Sequence, residues 1–174
     1  MADLSTLSIE LGALLKERNL MLALAESCTG GMVAQAVTSV AGSSAWFDRG
    51  FVTYSNQAKI DMLGVSAKTI ETFGAVSEET AAEMALGCLK ASALKHNQEY
   101  NQKHSQVHIA GSVTGIAGPD GGSAAKSVGT VCFGIAQANQ CLTNTQYFTG
   151  NREAIRQQAT AFLMQQFIKQ LNPV

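Results

Sequence analysis

The chain has 174 residues, of which 46% are hydrophobic and 14% charged, with a formal net charge of -1. That length and apolar fraction suffice for one compact domain with a sizeable core, and they exclude disorder as the dominant state. The balanced charge supplies no general basic field for a nucleic-acid backbone, and no stretch reaches the roughly 20 apolar residues that a membrane helix needs. The amino terminus lacks the basic and apolar regions of a secretory leader, so a cytoplasmic protein is expected. Cys28, Cys88, Cys132 and Cys141 form no CxxC pair and read as free, mostly buried thiols rather than as disulfides or a zinc site.

Leu4, Leu7, Leu11, Leu14 and Leu15 recur at helical spacing and predict an amphipathic helix over residues 4–18, ending near Asn19. Residues 20–25 read as a buried strand, and Gly31 to Ala41 as a second helix. WFDRGFVTYS mixes aromatic and β-branched residues as a strand or hairpin does, and Asn56 is placed to cap a short helix running through Leu63. Ser77 caps a longer helix that keeps Ala81, Met84, Ala85, Cys88, Leu89 and Leu94 mostly on one face. The polar run from His96 to Gln106 predicts an exposed loop. VHIAGSVTGIAG and SVGTVCFGIAQ read as strands flanking a glycine-rich loop, and CLTNTQYFTG as another strand. Ile155, Ala159, Phe162, Leu163, Gln166 and Phe167 mark a carboxy-terminal helix. Strands interspersed with helices predict a three-layer α/β/α domain with a mixed sheet, spanning residues 1–174.

Four stretches carry residues suited to chemistry. The first, AESCTGG, runs from the first strand into the second helix, where ligands bind in open α/β sheets and a helix amino terminus offers unpaired N–H groups. Either Ser27 or Thr29 caps that helix over a tight glycine turn, or Ser27 is a nucleophile with backbone N–H groups as oxyanion donors. Cys28 is a rival nucleophile, or simply packing. His96, His104 and His108 lie in or beside the polar loop and supply neither a metal site nor a serine–histidine pair. In YSNQAK, Tyr54 ends a strand and Lys59 falls early in a helix, where burial would depress its pKa and make it a base. The plain alternative is an exposed tyrosine and a solvated lysine. Gly115, Gly118, Gly121 and Gly122 with Pro119 form a loop able to approach an anion or a ring, though neither a Walker A nor a dinucleotide fingerprint. Arg152 and Arg156, four apart at the start of the last helix, suit a phosphate or carboxylate, or else form a solvated face.

Taken in order, AESCTGG, GSSAWFDRGFVTYSNQAK, GAVSEET, TGIAGPDGG, KSVGTV and GNREAIR resemble the CinA carboxy-terminal domain family over roughly residues 5–168. The resemblance implies an amidohydrolase that converts nicotinamide mononucleotide and water to nicotinic acid mononucleotide and ammonia, a salvage step in pyridine nucleotide metabolism, with no metal and no cofactor. It matches Ser27 to the nucleophile that forms an acyl-enzyme, and Tyr54 and Lys59 to the groups assisting it, with Lys59 assigned as base and Tyr54 either orienting it or passing a proton to departing ammonia. Backbone amides around Thr29 and Gly30 are then expected to stabilise the oxyanion. The loop with Gly118, Asp120, Gly121 and Gly122 is expected to contact the nucleotide, and Arg152 to hold the phosphate. A small-molecule substrate is implied, with neither nucleic acid nor membrane as partner, and a homo-oligomer, a dimer being favoured. Where the family often has aspartate and proline, this chain has Asn151 and Ser127, and the 96–106 stretch looks longer than usual. Those departures leave a second reading: a nucleotide- or partner-binding paralogue that has lost or changed its activity.

Overall fold

A computed structural model of the chain describes residues 3–93 and 106–172. Asp3 accepts the amides of Ser5 and Thr6 and so starts α1 (Leu4–Glu17), which leads to β1 (Leu22–Glu26) and α2 (Met32–Thr38). Then come β2 (Phe47–Val52), α3 (Asn56–Leu63), α4 (Ala67–Phe73) and α5 (Glu78–Ala93). β3 (Ile109–Gly115), β4 (Thr130–Gln137), β5 (Gln140–Tyr147) and α6 (Arg152–Leu171) complete the described chain.

The strands form one sheet in the order β2-β1-β3-β4-β5. β1 pairs parallel with β2 and β3, whereas β4 runs antiparallel to both β3 and β5. The mixed sheet inferred from sequence is therefore present, with α1, α2 and α6 on one face and α3, α4 and α5 on the other. Every residue of β1 is buried, as a parallel strand covered on both faces requires. On the first face Leu11, Leu15, Leu24, Val113, Phe133, Leu163 and Phe167 make the core. On the second, Leu63, Val65, Met84, Cys88 and Ala110 do so, with Cys88 acting as a small apolar residue. α1 lies close enough to Trp46 that a Cβ on Gly12 would sit 2.7 Å from the indole ring.

Several expectations are refined. The helix expected from Gly31 to Ala41 stops at Thr38, where the Thr38 and Ser39 hydroxyls donate to the Ala34 and Ala36 carbonyls, each at 2.7 Å, and Gly42 then turns the chain at φ +81. WFDRGFVTYS holds a single parallel edge strand, not a hairpin. Ser55 rather than Asn56 caps α3, accepting the Ala58 amide at 3.1 Å. The sequence reading missed α4, which is too short for a periodic signal. It is held by tertiary contact, since Glu83 of α5 accepts the Ser66 amide and the Thr69 hydroxyl. Ser77 caps α5 as expected, accepting the Thr80 amide at 3.1 Å. The His96–Gln106 loop, apart from Gln106, lies outside the described residues, as do His96 and His104. His108 is structural, its Nδ1 accepting the Met21 amide at 2.9 Å. All four cysteines are free thiols.

This topology brings the carboxyl ends of β1, β2, β3 and β5 to one edge of the sheet, so the stretches following those strands converge there.

Candidate active site

Strand β1 ends at Glu26, which is 1% exposed and folds its carboxylate over the next turn. It accepts the amides of Gly31 at 2.9 Å, Val33 at 3.1 Å and Ala34 at 2.8 Å. A buried carboxylate thus caps α2 with charge-assisted bonds, in place of the hydroxyl cap offered by Ser27 or Thr29. The turn between them needs Gly30 at φ +60 and Gly31 at φ +98, conformations that L side chains rarely adopt. Ser27 is held by its own amide, which donates to the Val113 carbonyl at 3.0 Å, leaving its hydroxyl facing a cleft.

Lys59 comes from the first turns of α3 and is 1% exposed, which excludes the solvated reading. Its Nζ lies 2.9 Å from Ser27 Oγ, 2.9 Å from the Thr53 carbonyl and 3.4 Å from the Tyr54 carbonyl. Among the described residues no carboxylate lies within ion-pair distance of it. Burial accordingly lowers the Lys59 pKa from its ordinary value, because an ammonium loses water there without gaining a counter-charge. A neutral amine has two N–H groups and one lone pair. In that neutral form, an amine donating both N–H groups to the Thr53 and Tyr54 carbonyls would keep its lone pair for the Ser27 hydroxyl.

Cys28 has the opposite character: burial, the largest influence, pushes its thiol up to about 12. At neutral pH it is a protonated thiol, and so a poor nucleophile.

The cleft above Ser27 has a volume of about 260 Å³. Ser27 and Cys28 contribute to its walls, with Tyr54, Asn56 and Lys59 beside them; Ala75 and Val76 come from the α4–α5 turn. The glycine-rich stretch after β3 supplies residues through Gly118, together with Asp120 and Gly121, and α6 supplies Arg152. Of the residues expected to touch the nucleotide, Gly118, Asp120, Gly121 and Arg152 therefore line the cleft. Thr29, Gly30 and Gly122 lie outside its lining; Thr29 is fully buried, and a Cβ on Gly122 would meet Val128 at 3.1 Å.

Arg152 donates through Nη1 to the Gly118 carbonyl at 2.8 Å and through Nη2 to the Tyr54 hydroxyl at 2.7 Å. Arg156, one turn on, donates to the Thr29 carbonyl at 2.7 Å. The first turns of α6 thus tie together three stretches of the site, and Asn151 caps the helix by accepting the Ala154 amide at 2.9 Å. Sequence reading passed over the role of Glu26, and it paired Arg156 with Arg152 for an anion, whereas Arg156 lies outside the cleft lining and donates to the Thr29 carbonyl. The one visible signal for Glu26 was an acid ending an otherwise apolar strand just before a glycine turn.

At the carboxyl edge of a three-layer α/β sheet, a strand-end serine hydroxyl thus lies 2.9 Å from a buried lysine amine. The chain belongs to the CinA C-terminal domain family, whose sequence profile matches residues 4–171. It is 52% identical over 168 residues to the nicotinamide-nucleotide amidohydrolase PncC of Enterobacter agglomerans, covering 96% of this chain and 94% of that one. The PncC protein of Escherichia coli K12 is 48% identical over 165 residues, covering 94% and 92%. Among solved structures, a competence-damaged protein (CinA) superfamily protein from Klebsiella pneumoniae 700603 superposes with a TM-score of 0.88 at 34% identity, over 98% of both chains. A competence/damage inducible protein from Agrobacterium tumefaciens gives 0.86 at 41% identity, over 99% of this chain and 97% of the other.

Proposed function

We propose that this chain is a nicotinamide-nucleotide amidohydrolase that uses Ser27 as its nucleophile and Lys59 as its base. The observation that carries the mechanism is the 2.9 Å approach of a buried, uncompensated Lys59 amine to Ser27 Oγ. The activity rests on the relatives named above, which this chain matches over nearly all of both lengths.

Neutral Lys59 takes the Ser27 proton as Oγ attacks the carboxamide carbon. The developing oxyanion is met by the backbone N–H of Cys28, the one residue of the Ser27–Gly30 turn that both lines the cleft and keeps an uncommitted amide. The Gly30 amide already donates to the Ser27 carbonyl at 3.0 Å, whereas those of Cys28 and Thr29 donate to no acceptor among the described residues. Collapse of the tetrahedral intermediate breaks the C–N bond, and ammonia leaves with the proton held on Lys59, or relayed through Tyr54. Water, deprotonated by the regenerated amine, then cleaves the acyl-enzyme to the carboxylate and frees Ser27. Lys59 thus serves each half-reaction in turn, as microscopic reversibility asks of one base.

Asp120 suits the cationic pyridinium of such a substrate, and Arg152 its phosphate. The anchoring of Arg152 on Gly118 and Tyr54 sets its guanidinium at the mouth of the cleft. This reading carries with it a cytoplasmic protein acting as a homo-oligomer.

The deciding experiment is ammonia release from nicotinamide mononucleotide by the purified protein and by Ser27→Ala, with the nucleotide product identified by mass. Activity in the parent and its loss in the folded variant is the expected result. An inactive, folded parent across a range of pH and related amides favours the nucleotide-binding paralogue instead.

A further inference from the structure

The turn between α4 and α5 forms one wall of the cleft through Ala75 and Val76. Its backbone carbonyls are all taken up. Gly74 O accepts from the Ser77 and Thr80 hydroxyls at 2.9 and 2.8 Å, and Ala75 O from the Thr114 hydroxyl at 2.8 Å. Phe73 O and Val76 O both accept from one ammonium, Lys126 Nζ, each at 2.6 Å. Phe73 ends α4, so its carbonyl is one that the helix itself leaves unpaired and that favours a cation.

Lys126 belongs to the opposite wall. It closes the glycine-rich stretch in a tight turn, where Ser123 N donates to Lys126 O at 2.8 Å and Lys126 N to Ser123 Oγ at 3.1 Å. Apart from Lys126 itself, residues 119–125 and 127 are exposed. Across the cleft, by contrast, the α4–α5 turn is fastened to α5 and β3 by the hydroxyls just named. Gly74, at φ +84, leaves room for the ammonium, since a Cβ there would lie 3.3 Å from Lys126 Nζ. Lys126 is not itself among the residues lining the cleft, but bonds to Val76, which is.

We propose that Lys126 is a positioning residue that clamps the Gly118–Gly121 wall to the fixed α4–α5 turn and thereby sets the width of the cleft for its substrate. Its role as a substrate determinant rests on the amidohydrolase reading; the clamp does not. Two charge-assisted bonds across roughly 50 residues of sequence separation hold the loop in its binding conformation before substrate arrives, which lowers the ordering cost of binding. Because Lys126 neither lines the cleft nor bonds to Ser27 or Lys59, the clamp acts on KM rather than on the chemical step.

The test measures KM and kcat of the full chain on nicotinamide mononucleotide for the parent, Lys126→Met and Lys126→Arg, alongside amide hydrogen exchange of each. Lys126→Met should raise KM by at least about tenfold, the scale of one lost charge-assisted bond, with kcat within about twofold. Lys126→Arg, whose planar fork still reaches two carbonyls, should recover most of the loss. An unchanged KM in Lys126→Met, or a fall in kcat at constant KM, would overturn the proposal. A folded parent that releases no ammonia removes the amidohydrolase reading alone, and exchange then decides the clamp. Faster exchange confined to residues 73–76 and 116–128 in Lys126→Met upholds it, and exchange equal to the parent's refutes it.

Discussion

Replacing Lys59 with Met keeps an unbranched apolar stem in a site only 1% exposed while removing the amine that sits 2.9 Å from Ser27 Oγ. Loss of a positioned base costs about 10²- to 10⁴-fold in rate, equal to roughly 3–5 kcal/mol of activation free energy. The Thr53 and Tyr54 carbonyls lose their donor, which costs roughly 1–3 kcal/mol for each acceptor left buried and dry. Against this, the variant no longer buries an uncompensated amine, and each unit by which a pKa is depressed is worth about 1.4 kcal/mol. The two effects oppose, so the variant should stay folded near neutral pH while losing at least about 100-fold in kcat. The pH dependence separates base from scaffold. Below the folded pKa, Lys59 is protonated in both folded and unfolded states, so the cost of burying the ammonium is fully present. As pH rises through that depressed value toward the ordinary one, the unfolded chain still holds a proton that the folded protein has released, and stability rises. The parent's kcat should climb over the lower part of this window, as the free amine appears. Single-turnover ammonia release and urea unfolding at stepped pH measure both. A Lys59→Met protein that retains kcat within tenfold of the parent, or that keeps the parent's rise of stability with pH, would refute the reasoning.

Arg152→Ala should raise KM for the mononucleotide by about tenfold or more through loss of a charge-assisted phosphate contact, and lower kcat by a smaller factor, because the Tyr54 hydroxyl loses its 2.7 Å donor. An unchanged KM, measured by steady-state ammonia release, removes Arg152 from phosphate binding. Cys28→Ala should keep kcat within about threefold, since a thiol pushed up to about 12 contributes almost no thiolate at neutral pH. A loss beyond about 100-fold in a variant with the parent's circular dichroism would instead mark the sulfur as the nucleophile.

Much of the fold is written locally. The leucine spacing of α1, the buried run of β1, the Ser77 cap and the apolar strands β3 and β4 flanking a glycine-rich loop each declare themselves over short stretches, because helix and strand patterns are short-range properties. Ser27, Tyr54 and Lys59 were likewise singled out by residue type and family resemblance, and the three line one cleft. Where local reading failed, the deciding interaction came from elsewhere in the chain. α4 is capped by Ser66 but braced by Glu83 of α5. α2 is capped by Glu26 across a glycine turn rather than by the nearer hydroxyls.

The sequence by itself determined most of the elements, α4 excepted, as well as which faces are apolar and that a serine, a tyrosine and a lysine stand near their ends. Only the tertiary structure decided that the Lys59 amine, 32 residues from Ser27, meets its hydroxyl in a buried place with, among the described residues, no carboxylate within ion-pair distance. The same holds for Arg152, Arg156 and Lys126, whose partners lie 34 to 127 residues away. The physical reason is that a side chain's chemistry depends on what surrounds it: desolvation and hydrogen-bond partners set a pKa, and those are supplied by strand order and helix packing rather than by neighbours in sequence.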